Sequence, residues 1–313
     1  MGVNFDLTED QRALRDGIRA LCVGRFGMER VRAGFDRPMF DELAETGVFS
    51  LRSDGFTWSD AAIAFQELGR ALVPGPLVWS HLAHGTLEGI VTGVECPAAG
   101  TPAMIEHLAA ADTVVAIDTS GVSTIPRAAL DHAVALDWTL DPLTPVHRVE
   151  ALPAAGPVGD AATAEQWTTG GAVLTAAYQV GMAEACLAAA TAYSLERRQF
   201  DRPIGSFQAV KHILADMAVR AEVARAAADA AAVTLDDPEG GDITRVVSGA
   251  RLLASEAALK NAKASMQVHG GMGFTWEVDV HLYLKRAWVL NTVFGTPNAH
   301  ADAVAATLTP ISA

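Results

Sequence analysis

Two short stretches carry the side chains best suited to gripping an anion. One is SLERRQFDRPIGSFQ (residues 194–208), where Arg197, Arg198 and Arg202 crowd a corner between two helical segments. The other is QVHGGMGFTWE (residues 267–277), where a glutamine precedes three closely spaced glycines. A guanidinium offers phosphate a charge-assisted fork, and glycines let backbone N–H groups approach it closely. Taken singly, each stretch has a plainer reading. Arg197 and Arg198 would pair with Glu196 and Asp201 at the surface, and Gly270-Gly271-Met272-Gly273 would simply end a helix.

Other chemistries lack their residues. No G-x-G-x-x-G or G-x-x-x-x-G-K-[ST] follows a strand pattern and no G-x-S-x-G occurs, which removes Rossmann, P-loop and α/β-hydrolase readings. His81 and His84 share one helix face, but no carboxylate or cysteine joins them locally, so they read as packing or surface histidines rather than metal ligands. The 313-residue chain has a net charge of −14, so neither nucleic acid nor an anionic membrane is an expected partner. Cys22, Cys96 and Cys186 form no C-x-x-C pair or disulfide framework, and the polar N-terminus has no signal-peptide core. A reducing cytoplasm is the expected compartment.

The elements that must position the two stretches follow from apolar periodicity. Residues 1–92 read as a helical domain: Thr8 opens an S/T-x-x-Q cap, and Leu14, Ile18 and Leu21 follow at helical spacing. Further helices are expected near Pro38–Thr46, Ser59–Leu72 and Val78–Val91. Residues 93–158 read as a small β-rich domain, with strands at Thr113–Ile117, Gly121–Ile125 and Val146–Leu152 between turn residues. Residues 159–313 are helical again. A long helix over about Ala164–Glu196 contains the most membrane-like stretch, Gly170–Tyr193. Its alanine richness and internal Gln179 and Glu184 indicate a helix buried in a bundle. A second helix begins near Ser206 with Phe207, Val210, Leu214, Met217, Ala221, Ala224 and Ala228 on one stripe. Asp242 caps a third that Gly270 and Gly271 close, and shorter helices finish the chain near Asp279–Leu290 and Pro297–Leu308.

In combination these segments resemble acyl-CoA dehydrogenases, flavoproteins that oxidise an acyl-CoA thioester to its 2-enoyl form. FDLTEDQRALRDGIRAL and ELGRALVPGPL are similar to that family's N-terminal helical domain. ERRQFDRPIGSFQ resembles its R-x-x-F-G-x-x-I-x-x-F/H-Q corner, with Asp201 where glycine is usual, and QVHGGMGFTWE resembles its Q-x-x-G-G-x-G-F/Y-x-x-E segment. The resemblance implies a mostly α fold with a small β insert: helical N-domain, shortened β middle domain and C-terminal four-helix bundle mediating oligomerisation. It also implies that Arg197, Phe200, Gln208, Gln267, Gly270 and Gly271 contact FAD bound by a neighbouring subunit.

The resemblance implies a catalytic glutamate as well, and here the chain departs from it. One branch of the family places the base where this chain has Phe294, and another where it has Gly171, with a neighbouring arginine position filled by Ala172. Glu165, Glu184 and Glu277 are the carboxylates left to nominate. The T-E-P-x-x-G-S-D segment is missing too, and Trp138, the only tryptophan of residues 93–158, lies in a different context from the family's flavin-side tryptophan. The pattern resembles the short subunit of actinobacterial α2β2 acyl-CoA dehydrogenases of steroid catabolism. It implies FAD shared with a full-length acyl-CoA dehydrogenase-like partner, which supplies the glutamate and most of the acyl-CoA pocket. The alternatives are a homotetramer with an unrecognised base and a flavin-free scaffold of the same fold.

Overall fold

The computed structural model describes residues 6–308. Residues 1–5 and 309–313, which the sequence reading places in the first and last domains, lie outside the described residues. The chain forms two compact units that interleave along the sequence. Of the described residues, one comprises 6–28, 58–73 and 172–308; the other comprises 29–57 and 74–171.

The first unit is helical: α1 (Glu9–Arg25), α4 (Trp58–Arg70), the C-terminal part of α6 (Ala161–Glu196), α7 (Gln208–Asp236), α8 (Ile243–His269), α9 (Val280–Leu290) and α10 (Pro297–Ala306). Thr8 starts α1 with the expected capping box, its hydroxyl accepting from the Gln11 N–H while the Gln11 side chain accepts from the Thr8 N–H. Asp242 caps α8 by accepting from the Arg245 N–H. Small residues bring the helices close. On α7, Met217, Ala221, Ala224 and Ala228 are buried as the stripe predicts, whereas Phe207, Val210 and Leu214 at its start are only half-buried. The α4–α6 crossing is tighter still. A Cβ on Gly69 would lie 1.9 Å from the Tyr178 carbonyl oxygen, and one on Gly181 would lie 1.8 Å from that of Gln66. α6 is apolar enough to cross a membrane by length and composition, but 72% of its most apolar window is buried inside the protein.

The second unit carries α2 (Met28–Arg32), whose first residue belongs to the other unit, with α3 (Arg37–Glu45), α5 (Leu77–Ala83) and two small sheets. One sheet has the order β1 (Val91–Glu95), β3 (Thr113–Asp118), β4 (Gly121–Ile125), β7 (Gly156–Gly159), with β1 parallel to β3 and the other pairs antiparallel. The other is antiparallel: β2 (Ala103–Glu106), β6 (Val146–Val149), β5 (Val134–Ala135). Ile105, Leu108, Val114, Ile125 and Val149 pack together in this unit's core. The helix expected over Val78–Val91 is shorter, because Gly85 and Gly89 adopt positive φ (84° and 79°) and turn the chain into β1. Trp138 is 80% exposed. His81 is buried, with its ring Nδ1 on the Val48 carbonyl at 2.9 Å, and His84 meets the Ser53 hydroxyl at 2.8 Å.

Candidate functional site

The corner between α6 and α7 is a hairpin of two-residue strands, β8 (Arg198–Gln199) and β9 (Arg202–Pro203). Phe200 and Asp201 form its turn with φ of 51° and 64°. Positive φ at both central residues matches the right-handed twist of a two-residue hairpin, which explains why glycine suits position 201. The hairpin is tied to its surroundings by the Ile204 N–H to the Arg197 carbonyl (2.8 Å) and by the Arg198 guanidinium to the Asp201 carbonyl (2.6 Å). The turn leaves Phe200 85% exposed, edge-on to Phe207 at 6.0 Å, and Arg202 lies 4.1 Å over the Phe207 ring.

Arg197 is exposed, and its guanidinium engages no side chain among the described residues. Surface pairing with Glu196 or Asp201 therefore does not account for it. Gln208, exposed in the first turn of α7, contacts His212 at 3.3 Å. α7 begins at Phe207 without a side-chain cap, leaving its first N–H groups without that partner.

The second stretch lies at the end of α8. Gly270 takes φ 63°, and its N–H bonds to the Gln267 carbonyl. Residues Gly270–Phe274 then form a 3-10 turn. Gln267, Gly270 and Gly271 are exposed, and a Cβ on either glycine would meet nothing within 4 Å. Gly273 differs: a Cβ there would lie 2.6 Å from the Met266 carbonyl oxygen, so its role is local packing.

Tertiary structure links the residue just before the first stretch to the second. Tyr193, in the last turn of α6, stacks on His269 with ring centroids 4.3 Å apart and planes at 24°. The chemistry of this donor set fits the diphosphate and adenosine part of FAD: an unengaged guanidinium, an exposed amide, and glycine backbone facing open space. These residues would hold one side of such a group, and all of them face outward.

The positions where a base is expected hold none. Gly171 is buried. Phe294 is 2% exposed at φ 51°, and its carbonyl accepts from the His300 ring at 2.9 Å. The preceding loop is pinned by buried Arg251, which donates to the Leu290 and Val293 carbonyls (both 2.9 Å) and to Gln179 Oε1 (2.6 Å). Of the nominated carboxylates, Glu165 and Glu277 are exposed. Glu184 is ion-paired to Arg70, with Arg225 at 3.8 Å. Burial raises the Glu184 carboxyl above its ordinary range, with Arg70 opposing that shift. Sequence reasoning missed Tyr193 and Arg251, neither of which belongs to a local pattern.

The family profile "Acyl-CoA dehydrogenase, C-terminal domain" matches residues 161–309. Acyl-CoA dehydrogenase IpdE2 of Mycobacterium tuberculosis is 36% identical over 304 residues, covering 89% of this chain and 91% of that protein. Among solved structures, the ChsE4–ChsE5 complex from Mycobacterium tuberculosis contains a chain of the same fold. Its TM-score is 0.82 at 23% identity, covering 99% of this chain and 100% of that one. A chain of the Tcur3481–Tcur3483 steroid acyl-CoA dehydrogenase gives 0.80 at 19% identity, covering 95% and 97%. This chain belongs to the acyl-CoA dehydrogenase family, whose members are FAD-dependent oxidoreductases.

Proposed function

We propose that this chain is the base-less subunit of a heteromeric FAD-dependent acyl-CoA dehydrogenase, paired with a full-length subunit in an α2β2 assembly. One observation carries the reading. Arg197 stands exposed and unengaged at the end of α6, Gln267, Gly270 and Gly271 are exposed at the end of α8, and both expected base positions are buried residues that cannot accept a proton.

The reaction removes the acyl α-proton to a carboxylate as hydride leaves the β-carbon. Bound FAD supplies the hydride acceptor. In this assembly Arg197 neutralises phosphate charge, Phe200 and Gln208 flank it, and Gln267 with Gly270 and Gly271 presents amide and backbone contacts. The partner supplies the carboxylate and most of the acyl-CoA pocket. Losing a positioned base costs about 10²–10⁴-fold, so a chain lacking one gains most by acting beside a subunit that has it. The heteromeric ChsE4–ChsE5 neighbour supports two-subunit assembly, and the Tcur3481–Tcur3483 neighbour, described as a steroid acyl-CoA dehydrogenase, supports a steroid-derived acyl group. On this reading residues 93–158 are the reduced middle domain between the helical segments 1–92 and 159–313. The complex works in the cytoplasm, where three unbridged thiols are at home.

The test is to purify the chain alone and again after co-expression with a full-length dehydrogenase subunit encoded beside it. The expected outcome is colourless, inactive protein alone and a yellow, active heterotetramer with two flavins when co-expressed. Yellow, active homomeric protein would overturn the proposal. Failure to associate with any such subunit would favour a flavin-free scaffold.

A further inference from the structure

The two halves of the proposed anion grip lie seventy residues apart in sequence, and an aromatic contact links the segments that carry them. The Arg197 N–H donates to the Tyr193 carbonyl at 2.9 Å, so Arg197 leaves α6 one turn after Tyr193. On the other side, His269 is followed directly by Gly270, whose φ of 63° begins the glycine turn. The ring stack of Tyr193 on His269 therefore joins the chain segment that leads into the arginine to the one that leads into the glycines.

The geometry of the pair is fixed from several directions. His269 is 8% exposed, and its Nδ1 lies 2.8 Å from the Ser265 carbonyl. A carbonyl oxygen only accepts, so Nδ1 carries the hydrogen and the ring plane is set by α8. Tyr193 lays its ring on that plane, and its hydroxyl reaches the Met272 sulfur at 3.9 Å inside the glycine turn. The tyrosine thus touches the second stretch at both His269 and Met272 while its own backbone anchors Arg197.

We propose that Tyr193 and His269 are positioning residues that hold Arg197 in register with Gln267, Gly270 and Gly271. This inference rests on the reading of those four residues as a FAD grip. A bidentate guanidinium and a backbone turn must face the same phosphates at the same time, and neither helix end sets that spacing on its own. The stack converts two separate helix termini into one rigid anion site.

The experiment uses the reconstituted heteromer and measures FAD dissociation by the fluorescence of released flavin. Arg197→Ala, Tyr193→Ala, Tyr193→Phe, His269→Ala and the Tyr193→Ala/Arg197→Ala double variant are compared. Tyr193→Ala is expected to weaken FAD binding about tenfold or more, as removal of a residue that orients a binding group does. Tyr193→Phe keeps the ring face and should bind FAD nearly as well as the parent. The double variant should be no weaker than Arg197→Ala, because Tyr193 acts through the arginine. A generally destabilising role would instead give additive losses, and that result would overturn the inference.

If Tyr193→Ala fails to assemble, Tyr193→Leu fills much of the space without a ring face. In the isolated chain it should lower amide hydrogen-exchange protection at residues 267–271; unchanged protection would overturn the proposal. Unchanged FAD binding in Tyr193→Ala beside a weakened Arg197→Ala would also overturn it and leave the grip intact. Unchanged binding in Arg197→Ala would overturn the grip itself, and the inference with it.

Discussion

Glu184 is ion-paired to Arg70, which also reaches buried Glu67 at 3.3 Å, and Glu67 in turn takes a two-point contact from Arg19 at 2.7 and 2.8 Å. The most buried of the nominated carboxylates is thus a link in a charge network joining α1, α4 and α6. An ion-paired carboxylate in such a network stabilises helix packing and is poorly placed to collect a substrate proton. Glu184→Gln should lower stability by about 2 kcal/mol, because it leaves Arg70 short of one partner. Turnover by the heteromer should stay within about twofold of the parent, since the substitution touches no reacting group. A loss of several orders of magnitude in kcat at intact assembly would make Glu184 the base after all.

Phe294 fills a base position as a core residue. Phe294→Glu would put a carboxylate in a buried site, costing about 3 kcal/mol or more from lost packing and desolvation together. The variant should melt lower and show no dehydrogenase activity on its own. Measurable acyl-CoA oxidation by that chain alone would show that only the side chain had been lost.

The α4–α6 crossing depends on two glycines. Gly181→Ala forces a methyl group against the Gln66 backbone, which no rotamer change relieves, so about 3 kcal/mol or more of stability should be lost. Chemical denaturation measures it directly. Gly271→Ala, whose Cβ would meet open space, should cost far less stability and show its effect in FAD binding.

Asp201 holds a backbone conformation that glycine adopts freely. Asp201→Gly should stabilise the hairpin by about 0.5–1 kcal/mol, part of the gain being offset by the greater freedom of the unfolded chain. A raised thermal midpoint with unchanged flavin affinity is the expected result.

Burial pushes the His81 imidazole down to about 4, the Val48 carbonyl only partly opposing it. The unfolded chain, with its histidine near 6.5, takes up the proton first as pH falls. The folded state therefore has its full stability above pH 6.5 and loses up to about 3 kcal/mol between 6.5 and 4. His81→Gln, which keeps a donor for Val48, should show a shallower fall in urea midpoint across that window. Parallel curves would place the pH dependence elsewhere.

Much of the helical frame is legible in the residues, because its signals are local. Thr8 with Gln11, Asp242 and Gly270 each mark a helix end through contacts within four residues, and the alanine stripe of α7 repeats at helical spacing. The two stretches of the proposed grip are legible for the same reason. What joins them is not, since Tyr193 and His269 meet only after α6 and α8 pack. β1 escapes notice because Ile90–Val94 extends an apolar run that begins in α5, and only Gly85 and Gly89 separate them. The interleaving of the two units is equally hidden: α4 belongs to one unit while the segments on either side of it in sequence belong to the other.

The hairpin corner also has a long-range electrostatic consequence. It gathers Arg197, Arg198 and Arg202 within six residues of a chain whose net charge is −14. An incoming acidic molecule meets repulsion over most of the surface and attraction at this corner, so the field turns it toward the corner before contact. Encounter is then selective by orientation, and added salt slows it by weakening the guidance while leaving the final contacts largely unchanged.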